Sequence, residues 1–181
     1  MTEKELKAWM LKLACFHEAG HAVVGLTLGI NQLKITLSEK QERKPNELYF
    51  VAQTGIYESL GSKADRATYG LAGWVAEELA QEPKTEIDHL ILAVHDYMKR
   101  GMSATDRRDV KVVKGPALNA ALEKSYHLLK EHWLAVEGLA HSLAYNPEGQ
   151  LYVIPWHLDP TAPWRGHLKM TDNGPFPLLG N

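Results

Sequence analysis

Between Glu5 and Leu28 the apolar and small residues recur at steps of three and four: Leu6, Met10, Leu13, His17, Gly20 with His21, Val24 and Leu28. That spacing is the mark of one amphipathic helix, so the start of the chain is bound to bury a single helical face. Two histidines lie on that inward stripe at positions i and i+4. An unpartnered pair of histidines on a buried face would be costly.

The remaining pattern predicts a mainly α protein with a small β-hairpin or edge sheet. Gly29 stops the first helix, and Leu33 to Leu37 alternates apolar with polar residues as a half-buried strand does. The charged stretch Ser38 to Glu47 contains Pro45 and reads as a loop before a second strand, Leu48 to Ile56, that pairs with the first. A second helix is expected from Ser62 to Gln81, with Gly70, Ala72, Gly73 and Ala76 allowing close approach by another helix. A third, Glu86 to Arg100, ends at Gly101, and Ser103 or Thr105 caps a short fourth beginning near Asp106. Pro116 opens a single long fifth helix running to Tyr145. Beyond Asn146 proline and glycine recur around one short strand, Leu151 to Ile154, which divides the chain into a domain over 1–145 and a tail or wrap over 146–181.

Composition narrows the function classes. A formal charge of -2, without any long Lys/Arg cluster, offers no footprint for a nucleic-acid backbone. The lone Cys15 rules out both an internal disulfide and a cysteine-rich zinc finger. Charged residues interrupt the N-terminus, and no uncharged run approaches the roughly 20 residues of a bilayer span, so a soluble, cytoplasmic protein without membrane partners is expected.

The chemistry lies in His17-Glu18-Ala19-Gly20-His21, an H-E-x-x-H pattern. Two histidines one helical turn apart can share one zinc ion, and a glutamate directly after the first sits beside the metal without ligating it. There it can act as general base toward a zinc-activated water. The plainer alternative is a chance pattern with two hydrogen-bonded core histidines.

The segment Phe16 to Gly25 resembles the opening of the peptidase domain of FtsH-type membrane proteases, in which H-E-A-G-H-A begins a zincin-like helical fold. Gly70 to Leu79 is similar to that family's G-G-R-x-A-E-E-[LI] helix, with Trp74 in place of the arginine, and Ser103 to Val110 resembles its A-S-N-D-[LI] segment. The resemblance covers roughly residues 14 to 144. It implies a zinc metallopeptidase acting on peptides or unfolded proteins, with an aspartate of the third segment as the remaining zinc ligand. Asp106 follows Thr105 and is favoured, whereas Asp109 has Val110 and Val113 behind it and is the alternative. The ligand should be desolvated against the histidines, and the other aspartate should stay solvated among Arg107 and Arg108. Glu77 or Glu78 could orient a ligand histidine.

Two departures from the family stand out: no ATPase module accompanies the domain, and an additional helix precedes the aspartates. A stand-alone relative is therefore expected, with room for an oligomer or a separate ATPase that delivers substrates. His127, His132 and His141 lack metal-sharing spacing, and His95, His157 and His167 are further substrate-contact candidates. A non-catalytic zincin-like domain that binds zinc or peptide is the rival function, and a metal-free helical interaction module is a third class. An extended peptide is expected to pair with an open strand edge beside the metal.

Overall fold

The computed structural model describes residues 1–40, 50–56, 60–145 and 150–159. The first helix, α1, spans Glu3–Thr27 and begins with a capping box in which Glu5 N–H donates to Thr2 Oγ1 and Thr2 N–H to Glu5 Oε2. It ends at Gly29, whose φ of 95° lets the Ile30 amide turn back onto the Gly25 carbonyl.

Strands β1 (Leu33–Glu39) and β2 (Phe50–Ile56) pair antiparallel as expected, Leu33 facing Ile56 and Glu39 facing Phe50. Alternation puts Leu33, Ile35 and Leu37 of β1 in the core. A third strand, β3 (Gln150–Val153), pairs antiparallel with the other side of β1, placing Val153 opposite Leu33. The sheet order is β2-β1-β3, so β2 is an edge strand. A 3-10 turn, Pro155–Leu158, follows.

Helix α2 (Lys63–Gln81) is capped by Ser62, whose hydroxyl accepts from Asp65 N–H, and it packs along α1. The two backbones meet closely: a Cβ added at Gly20 would lie 2.6 Å from both the Ala72 carbonyl oxygen and the Ala76 Cβ. Helix α3 (Ile87–Arg100) and the short α4 (Ala104–Val110) follow, α4 against α2.

The single long fifth helix is corrected to two, α5 (Pro116–Glu131) and α6 (Trp133–Tyr145). The chain leaves helical geometry at His132, and Trp133 stacks on Phe16 of α1 with ring centroids 5.7 Å apart. Bending there lets α5 cover α2 while α6 covers α1. Leu122, Leu129, Val136 and Leu139 are fully buried, or nearly so, along the two helices, each contributing roughly 1.5–3 kcal/mol relative to exposure. Among the described residues no helix is long and apolar enough to cross a membrane.

Candidate metal centre

One turn of α1 separates His17 and His21, and their rings meet edge to face with centroids 4.7 Å apart. Each Nδ1 is engaged by an acceptor from α2. His21 Nδ1 lies 2.8 Å from the Tyr69 backbone carbonyl and His17 Nδ1 lies 2.7 Å from Glu77 Oε1. A carbonyl oxygen can only accept, so His21 carries its proton on Nδ1, and the Glu77 carboxylate imposes the same arrangement on His17. In the neutral rings both Nε2 lone pairs are then bare, and they face each other at 3.0 Å.

Asp106 completes the group. Its Oδ1 is 3.3 Å from His21 Nε2 and its Oδ2 is 3.4 Å from His17 Nε2. Two nitrogen lone pairs and a carboxylate converging with no hydrogen between them repel one another unless a cation fills the space. Metal–nitrogen bonds of 2.0–2.1 Å in a tetrahedron would set ligand atoms about 3.3 Å apart, close to what is found. His17, His21 and Asp106 could therefore hold a metal ion, and no other group of three such side chains exists among the described residues.

The neighbours explain why these side chains converge. Ser103 caps α4 by accepting from Asp106 N–H at 3.1 Å, while its own hydroxyl donates to Asp106 Oδ2 at 2.7 Å. One residue thus starts the helix and aims the carboxylate. Asp109, one turn on, is also buried, which corrects the expectation that it stays solvated among Arg107 and Arg108. Arg66 of α2 reaches it at 3.0 Å and Arg108 at 3.5 Å, while Arg107 turns away to the Met102 carbonyl. Of the glutamate pair, Glu77 holds His17, whereas Glu78 accepts from the Trp74 indole N–H at 2.9 Å.

Charge follows the geometry. Burial opposes a charge on His17, yet the carboxylates of Asp106, Glu77 and Glu18 outweigh it and raise its pKa well above 6.5 in the metal-free chain. Burial likewise acts to raise Asp106, but the neighbouring imidazoles of His17 and His21 hold it far below the usual carboxylate range. A proton on His17 and a metal ion would therefore compete for the same place.

Glu18 is only 5% exposed and opens onto the same cavity, of about 600 Å³. The Thr54 hydroxyl donates to its Oε2 at 2.6 Å, fixing the carboxylate from β2. Trp9, Met10 and Leu13 of α1 and residues Phe50 to Thr54 are among those that line that cavity. Among the described residues nothing pairs with the outer edge of β2, and residues 50–54 of that strand line the cavity together with the histidines. Tyr97 of α3 also lines the cavity, its ring stacked on Trp74 at 4.6 Å and 11°. Burial, then the charges of Glu77, Asp106 and Glu78, push its phenol pKa upward.

Sequence reasoning missed Thr54, the Tyr69 carbonyl and Tyr97. None of them sits in a pattern that spacing can detect. His95 lines a separate groove with Pro116 and Asn119, and His157 packs its Nδ1 against the backbone of Ile154. His167 lies outside the described residues. No protein-family model matches this chain, and no curated protein shows a significant match.

Proposed function

We propose that this chain is a zinc-dependent metallopeptidase with a zincin-like site similar to that of FtsH-type peptidase domains, acting on extended peptides or unfolded proteins in the cytoplasm. The observation that carries the reading is the convergence of both Nε2 atoms and the Asp106 carboxylate, with Glu18 opening onto the same cavity. Two imidazoles and one carboxylate, leaving a fourth position open, form the donor set of catalytic rather than structural zinc. The same donors suit ferrous iron. Glu18 favours hydrolysis, because a buried carboxylate that ligates nothing and is held by Thr54 is suited to moving protons.

A zinc ion bound there would polarise the peptide carbonyl and acidify a water. This chain's residues do the rest. The outer edge of β2 pairs with the extended substrate and sets its carbonyl across the histidines. Glu18 takes a proton from the attacking water and delivers it to the leaving nitrogen, with Thr54 keeping the carboxylate in place. Glu77 and the Tyr69 carbonyl fix both imidazole tautomers so that Nε2 stays free for metal.

The test is metal analysis of protein purified without added zinc, together with turnover of an unfolded protein. About one zinc per chain, and hydrolysis that stops on chelation and returns with zinc, supports the proposal. Stoichiometric zinc without turnover would leave the non-catalytic zincin-like domain as the better reading.

A further inference from the structure

A peptide carbonyl under attack by water gains negative charge on its oxygen, and catalysis improves when a fixed donor waits at that position. Most side-chain donors around the cavity are already engaged. The Thr54 hydroxyl is given to Glu18 and the Ser103 hydroxyl to Asp106. The Tyr69 hydroxyl points to the Thr54 carbonyl at 3.4 Å, and both imidazole Nδ1 atoms are held by α2. Gln53 and Thr105 are exposed at the rim. The Trp9 indole is two turns upstream of His17, about 12 Å along the helix.

Tyr97 is different. Among the described residues no hydrogen bond engages its hydroxyl. Its ring is clamped flat on Trp74, and the Trp74 indole is itself tied to Glu78. Trp74 directly follows Gly73, the residue in contact with the His17 ring, and Tyr97 lines the same cavity as His17, Glu77 and Asp106. An uncommitted donor on a rigid mount, lining the cavity that a scissile carbonyl would enter, is what transition-state stabilisation calls for.

We propose that Tyr97 is a further catalytic residue, donating a hydrogen bond from its phenol to the carbonyl oxygen of the scissile peptide as charge develops there. This rests on the peptidase reading above. Water oxygen bonds to the carbonyl carbon, Glu18 carries one water proton to the nitrogen, and the C–N bond breaks. Tyr97 keeps its own proton throughout. The helix that carries it, α3, is the one that the family resemblance does not account for, so the donor is a feature of this chain.

Tyr97→Phe tests this, because it keeps the ring and its stack. With zinc content unchanged, kcat on an unfolded-protein substrate should fall about 100-fold while KM stays within about threefold. A phosphinic peptide, whose tetrahedral anionic oxygens imitate the transition state, should lose affinity by a similar factor. The matched uncleaved peptide should bind equally to Glu18→Gln and to the Glu18→Gln, Tyr97→Phe double variant. Unchanged kcat and phosphinate affinity in Tyr97→Phe would overturn the proposal and leave the peptidase reading standing. Equal losses for phosphinate and uncleaved peptide would also overturn it, assigning Tyr97 to packing. Zinc-loaded wild-type protein that hydrolyses nothing would overturn the peptidase reading and this proposal together.

Discussion

A Cβ built on Gly73 would sit 2.5 Å from the Nε2 atom of His17, so α2 borders the metal group at a residue with no side chain. The larger consequence is that the imidazole occupies space any other residue would fill. Gly73→Ala gains about 1 kcal/mol of helix propensity, which offsets part of the steric penalty. Because the clash falls on a side-chain ring rather than on backbone, the ring should yield before the fold does. We expect metal-free stability to fall by roughly 1–3 kcal/mol, because the displaced ring loses Glu77 and Asp106, and zinc affinity to fall at least about tenfold as His17 leaves its position. Chelator competition measures the second quantity and thermal unfolding the first.

Asp106 and Asp109 should separate cleanly. Asp106→Asn removes the negative charge of the carboxylate that faces both Nε2 atoms and is expected to weaken zinc at least about tenfold, with the fold retained. Asp109→Asn leaves zinc affinity unchanged and lowers stability by roughly 1 kcal/mol, because it unpairs Arg66, a partner that is partly screened by solvent. Loss of zinc in Asp109→Asn alone would reverse the assignment.

The raised pKa of His17 makes metal binding pH-dependent. Its folded value lies above 6.5, so its contribution to metal-free stability is complete below pH 6.5 and is lost as pH rises through the folded pKa. Zinc requires the unprotonated ring, so its affinity rises with pH over the same interval. The gain in melting temperature on adding zinc should therefore grow as pH rises, and zinc binding should release protons at neutral pH. Calorimetry in buffers of differing ionisation enthalpy counts those protons.

The helix that bears both histidines is open in the sequence, since two histidines four residues apart on an apolar stripe can be read without any tertiary knowledge. The hairpin was equally visible, from alternation and the charged stretch after it. The break at His132 was hidden, because Leu129, Trp133 and Val136 keep helical spacing straight through it and only the stack of Trp133 on Phe16 shows why the chain turns. The choice between two aspartates one turn apart on α4 depends on what α1 and α2 present to each, histidines to Asp106 and Arg66 to Asp109. Thr54 and the Tyr69 carbonyl act across 36 and 48 residues of chain respectively, a relation that local pattern does not encode.

Glu18 carries the central claim, because a structural metal site has no need of it. In Glu18→Gln the three candidate ligands are untouched, so zinc content and affinity should match wild type. Hydrolysis of an unfolded protein should fall by about 100-fold or more with the proton carrier gone. The decisive measurement is kcat/KM of zinc-loaded Glu18→Gln beside zinc-loaded wild type on the same substrate. A loss of that size with full zinc occupancy is what the account predicts; equal rates in the two proteins would contradict it.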